Sequence, residues 1–123
     1  MKFLLDANFL LTSIKFKVDI FSELMKFGKP ELYTLDLILK ELKKVSEGKG
    51  KDAKNAKLAL TILERKNVKT LKTKNKSADQ EIERIAAEQN LTVCTQDRAL
   101  IEKLRAEELD IVIIRQKKYL EKI

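Results

Sequence analysis

KFLLDANFLL, residues 2–11, decides the fold. The run ending at Leu5 reads as a short buried strand, Asp6 interrupts it, and ANFLLTSI resumes with Phe9, Leu10 and Ile14 at helical spacing. Strand, acid, helix is thus the opening pattern, and it recurs along the chain.

VDIFSELMKF, residues 18–27, keeps the helical period through Val18, Phe21, Leu24 and Met25 until Gly28 and Pro30 stop it. ELYT, residues 31–34, reads as a second strand. Thr34 stands where it would cap the following helix, whose apolar stripe is Leu35, Ile38, Leu39, Leu42 and Val45 before Gly48. SEGKGKDAKNAK, residues 46–57, reads as an exposed loop leading into a helix over ALTILERK. VKTL is strand three, and Ser77 with Gln80 forms a capping box for a helix buried through Ile82, Ile85 and Ala86. LTVCT, RALIEKLRAEE and DIVII supply strand four, a sixth helix and strand five. The strands are too continuously apolar for a sheet with one wet face, so the expectation is an α/β three-layer sandwich: a five-stranded parallel sheet flanked by helices. Such sheets bind ligands beyond the carboxyl ends of their strands, near a topological switch point.

A chain of 123 residues fits one domain spanning 1–123, and at that size roughly two thirds of the unfolded surface is buried. Three Gly, one Pro and no low-complexity stretch argue for a folded, helix-rich protein. The absence of Trp weakens any case for a base-stacking platform. A net charge of +7 favours polyanionic partners such as nucleic acid, although lysine-rich surfaces also accompany adaptation to heat. Cys94 is the only cysteine and His is absent. Disulfides, thiolate zinc sites, imidazole acid–base chemistry and Ser-His-Asp triads are therefore excluded, and carboxylates are left as the catalytic or metal-binding groups. Asp6 breaks the early apolar stretch, so no secretory signal fits, and nothing approaches the ~20 apolar residues of a membrane span. The expected location is cytoplasmic, with no membrane partner.

Asp6 follows strand one and Asp97 lies just beyond strand four, so both belong to the carboxyl edge of the sheet. Asp79 falls in the first turn after strand three and faces the same edge, while Glu41 sits beside the apolar stripe of its helix. Each has a plainer explanation. Asp6 and Asp97 also suit helix caps, the Ser77–Gln80 box accounts for an acidic first turn at Asp79, and Glu41 near Lys43 and Lys44 reads as a solvated residue. Together they form a candidate hard-oxygen site suited to Mg²⁺ or Mn²⁺. Such ions orient and deprotonate water and stabilise a leaving 3′ oxygen at a phosphodiester, and a basic surface would hold the rest of the polyanion.

DANFLL after a short strand, Glu41 on the third helix, SADQEI around Asp79 and the VCTQDRAL segment together resemble the PIN-domain ribonucleases. The stretch from Leu91, TVCTQDRALIEKLR and then IIRQKKYL, is most similar to the archaeal and eukaryotic PIN group linked to small-subunit ribosomal RNA processing. The resemblance implies a metal-dependent endoribonuclease with Asp6, Glu41, Asp79 and Asp97 in its acidic pocket, Asp6, Asp79 and Asp97 as ligands of Mg²⁺ or Mn²⁺, and Asn8 and Thr95 in support. It also implies RNA, including ribosomal precursors, as substrate and a homodimer as a common assembly. Arg98, Arg115, Lys117 and Lys118 are the candidate RNA contacts, with an ordinary basic tail as the alternative. Toxins of toxin–antitoxin pairs share these acids, which makes an antitoxin the partner under that reading. A non-catalytic RNA-binding assembly factor is a further alternative. A phosphoacceptor domain fits poorly, because Ala7 follows Asp6 and Lys72, Thr73 and Lys74 follow VKTL.

Overall fold

The computed structural model describes residues 1–123. Strand β1 (Lys2–Leu5) leads through Asp6 into α1 (Ala7–Lys15), then α2 (Ile20–Leu24) and a 3₁₀ turn at Met25–Phe27. Next come β2 (Glu31–Leu35), α3 (Asp36–Ser46), α4 (Lys51–Arg65) and β3 (Lys69–Leu71). The second half runs α5 (Ala78–Gln89), β4 (Thr92–Cys94), α6 (Arg98–Ala106), β5 (Ile111–Arg115) and β6 (Tyr119–Lys122). The sheet order is β3-β2-β1-β4-β5-β6.

The chain steps outward from β1 to β2 and β3, then returns to β1's other side as β4. This reversal is the topological switch point, and right-handed crossovers that progress in opposite directions put their helices on opposite faces. Helices α1, α3 and α4 accordingly pack together, while α5 and α6 pack with β4 and β5. Phe3, Leu4 and Leu5 of β1 are fully buried at the centre. A strand covered on both faces needs apolar residues in succession, which is why KFLL does not alternate.

The α/β sandwich and its five parallel strands are as expected, with one addition. IIRQKKYL is not a basic tail, because its end turns back as β6 and pairs antiparallel with β5, Arg115 opposite Tyr119. Gln116 and Lys117 make the reversal at φ +53° and +57°, and no glycine announces it in the sequence. Three other expectations change. Thr34 caps nothing: it lies within β2, where its hydroxyl donates to the Leu5 carbonyl at 3.1 Å. The periodic segment 18–27 yields only the short α2 and the 3₁₀ turn, ended by Gly28 at φ +111°. The loop expected over 46–57 shrinks to 47–50, since α4 begins at Lys51. Ala53, Ala56, Ala59 and Leu63 make its buried face, and small side chains let it sit close to α1 and α3 despite the lysines on its outer side. No helix is long and apolar enough to cross a membrane.

Candidate active site

The switch point lies between the carboxyl ends of β1 and β4, where Leu5 is in register with Cys94 and the Asp6 amide donates to the Cys94 carbonyl at 3.0 Å. Asp6 therefore leaves the sheet beside Thr95. It is only 6 % exposed. One carboxylate oxygen accepts from the Ala7 amide at 2.8 Å and the other from the Thr95 hydroxyl at 2.8 Å. Asp6 thus caps α1 while standing at the switch point.

Thr95 is fully buried and ties the two strand ends together. Its oxygen accepts from the Asp97 amide at 3.2 Å and approaches Asn8 Oδ1 at 3.3 Å. Asn8 Oδ1 in turn accepts from the Gln96 amide at 3.0 Å. Nothing in the sequence marks Gln96, yet its side chain accepts from the Ile114 amide at 2.6 Å and donates to the Ile114 carbonyl at 3.3 Å, fastening this loop to β5. Asp97 is held through its backbone, while its carboxylate accepts from the Leu100 amide at 3.1 Å as the cap of α6.

Burial pushes the Asp6 carboxyl up from 3.8 to about 6, against the lowering effect of its bonds from Thr95 and Ala7; the charges of Glu41 and Asp79 push it further. Glu41 is raised as well, first by burial and then by Asp79. Asp6, Glu41 and Asp79 thus share one electrostatic neighbourhood, with Asp97 joined to it through Thr95. None of the four is in an ion pair. No three acids converge tightly enough to form a closed ion cage. Asp6, Glu41 and Asp79 are hard-oxygen groups in one another's field with no ion pair between them and a cation, the class of donor that suits Mg²⁺ or Mn²⁺ when other oxygens complete the shell.

Two further acids hold the segment that leads to Asp79. Asp36 accepts from the Thr73 hydroxyl at 2.6 Å and from the Thr73 amide. Buried Glu81 accepts from the Asn75 amide at 2.8 Å and from the Lys74 amide, and pairs with Arg84 at 2.6 Å. Together they clamp the segment that delivers Asp79, whose helix starts at Ser77 with that hydroxyl accepting from the Gln80 amide at 3.3 Å. Their sequence signal was weak, because Glu81 lies in an acidic helix start and Asp36 follows an apolar strand.

The candidate RNA contacts divide. Arg98 opens α6 next to Asp97 and is exposed. Arg115 is taken up by Glu121 at 3.2 Å, and Lys117 lies 4.9 Å from the centre of the Phe16 ring. Lys118 is exposed in the β5–β6 turn. The largest cavity, about 640 Å³, is at the opposite edge of the sheet, among Lys2, Pro30, Asn90 and Asp110, and holds none of the four acids.

Residues 3–117 match the family described as PIN like domain. Ribonuclease VapC4 of Methanocaldococcus jannaschii is 34 % identical over 122 residues, covering 94 % of this chain and 92 % of the relative. Among solved structures, the PIN domain endonuclease Utp24 superposes with a TM-score of 0.81 at 24 % identity, covering 99 % of this chain and 92 % of that one. VapBC-1 from nontypeable Haemophilus influenzae gives a TM-score of 0.64 at 18 % identity, covering 90 % and 96 %. At these identities the two structures speak for the fold alone.

Proposed function

The chain belongs to the PIN-like domain family, and from that premise we propose that it is a divalent-metal-dependent endoribonuclease whose single domain hydrolyses RNA phosphodiester bonds. One observation carries the reading: Asp6 is buried at the switch point without a counter-ion, within the field of Glu41 and Asp79 and fixed by Thr95. Burying an unpaired charge is costly unless something absent from the free chain compensates it.

Asp6, Asp79 and Asp97 would hold Mg²⁺ or Mn²⁺. The ion, when bound, supplies positive charge against the charge that grows on the phosphate in the transition state. Thr95 fixes the Asp6 carboxylate through its hydroxyl and holds the backbone of Asp97. Asn8 holds the loop carrying Asp97 through Gln96. Glu41, whose affinity for protons is raised, is suited to take the proton from the attacking water.

For the cellular role, the TVCTQDRALIEKLR and IIRQKKYL segments support processing of ribosomal RNA precursors. The 34 % identity with Ribonuclease VapC4 supports a second reading, a toxin held in check by an antitoxin. Co-purification from the native cell separates the two, with ribosomal precursors expected in the first case and a small partner protein in the second.

Purified protein with Mn²⁺ or Mg²⁺ should cleave single-stranded RNA internally. Asp6→Asn should lower the rate at least a hundredfold while the circular-dichroism spectrum is unchanged. Full activity in that variant would overturn the assignment.

A further inference from the structure

A groove of about 470 Å³ opens between α3 and the segment before α5, lined by Leu37, Lys40, Glu41, Lys44, Lys76 and Ala78. Glu41 belongs both to this groove and to the acidic site, since its carboxyl feels Asp79. The groove therefore adjoins the acids through Glu41, with three lysines in its lining.

Two of those lysines, Lys40 and Lys76, sit where local helix energetics gives them little reason to be. Lys40 and Lys44 are four residues apart on α3, a like-charge spacing that destabilises a helix. Asp36, the acid one turn before Lys40, is instead taken up by Thr73 at 2.6 Å. Lys44 alone gains from the carboxyl end of its helix. Lys76 immediately precedes Ser77, the N-cap of α5, and the partial positive charge of a helix N-terminus repels a cation. None of the three forms an ion pair, in contrast to Arg115 with its Glu121 and Lys117 over its aromatic ring. Residues that break local rules without an internal compensation mark function.

A phosphate chain needs such a path, because an uncompensated acidic site repels it. The geometry points to the α3–α5 groove as the track for the RNA backbone, with Lys40, Lys44 and Lys76 each binding a phosphate and the β5–β6 turn peripheral. This rests on the ribonuclease reading above and names where that substrate lies. The Asp36 and Glu81 clamps then serve a second purpose, since the segment they hold also presents Lys76.

The test is equilibrium binding of a short fluorescein-labelled oligouridylate to the full chain carrying Asp6→Asn, which keeps the probe intact, across a salt series. Adding Lys40→Ala, Lys44→Ala and Lys76→Ala removes three phosphate contacts, so the slope of log K against log salt should shrink by about 2. If the non-ionic part of binding is untouched, that is about a hundredfold weaker binding at ~0.1 M salt. Replacing Lys51, Lys54 and Lys57, which are exposed on α4, changes the net charge equally and should leave the slope nearly intact. Equal effects from the two triple variants would overturn the groove, as would a larger effect from replacing Arg98, Lys117 and Lys118. In either case RNA binding survives, and with it the ribonuclease reading. If the Asp6→Asn chain binds no RNA at low salt, the reading fails and the groove with it.

Discussion

Asp6→Asn should make the protein more stable at neutral pH and less stable in acid. Asp6 has an ordinary value of 3.8 and is pushed up to about 6, chiefly by burial. Between those values the native protein holds the proton more tightly than the unfolded chain. Stability from the protonated carboxyl is therefore complete below about pH 4 and is lost as pH rises through about 6. The full loss is about 3 kcal/mol at 1.36 kcal/mol per pH unit. Asparagine never ionises and escapes it. It also fits the bonds from Ala7 and Thr95 less well, at a cost of about 1 kcal/mol. The variant should then be about 2 kcal/mol more stable than wild type near pH 7.5 and about 1 kcal/mol less stable below pH 4, with the two curves crossing near pH ~4.5. For a domain of this size, 2 kcal/mol is a rise in Tm of about 6–10 °C. Urea titrations at several pH values, with metal chelated, measure it. Saturating Mn²⁺ should then stabilise wild type by about 3 kcal/mol at a hundred times Kd and leave the variant unmoved. Parallel pH profiles for the two proteins would refute the argument that Asp6 is buried as an uncompensated charge.

Asp97→Asn keeps a good N-cap for α6 and should unfold with wild type but lose RNA cleavage, whereas Asp97→Ala should also lose about 1 kcal/mol of stability; equal cleavage by wild type and Asp97→Asn would reduce Asp97 to a cap. Thr95→Val removes the hydroxyl donor to Asp6. It should raise the Asp6 carboxyl further above about 6, read by carboxyl ¹³C NMR, and an unmoved titration would show that this bond does not tune the acid. Glu81 is held down to about 2 by Arg84 and the amides of Asn75 and Lys74. Its clamp is present above the ordinary carboxylate range and is lost only as pH falls through about 2. Glu81→Gln should accelerate amide exchange at Lys74 and Asn75 and weaken metal binding through Asp79; unchanged exchange would exclude the clamp.

The parts of this molecule that the chain discloses are those where one residue's environment follows from local periodicity. Residues 3–5 and 92–94 are buried in succession because β1 and β4 are covered on both faces, so the acids that follow them fall at the sheet edge. What stays hidden depends on partners distant in sequence. Lysines at 51, 54 and 57 read as a solvated loop because the alanines between them look unremarkable until α1 and α3 are known to pack there. The reversal into β6 is made by Gln116 and Lys117 in a conformation that carries no sequence signal without Gly or Asn. Thr34 looked like a cap by position, but β1 lies alongside it and offers the Leu5 carbonyl.

The acids show the same limit more sharply. Along the chain, Asp36 and Glu81 are as ordinary as Glu41 and Asp79, yet the fold divides them by what surrounds each carboxylate. Asp36 and Glu81 are lowered by donors, Thr73 for one and Arg84 with two amides for the other. Asp6 and Glu41 are raised by burial and by their acidic neighbours. A carboxylate whose charge is held by the protein's own donors gains little from an added cation, whereas one raised by burial and by acidic neighbours gains more. The direction of the shift therefore separates Asp36 and Glu81 from Asp6 and Glu41, which their positions along the chain do not. Asp36 and Glu81 hold the segment before α5, and Asp6 and Glu41 are the two acids raised beside Asp79.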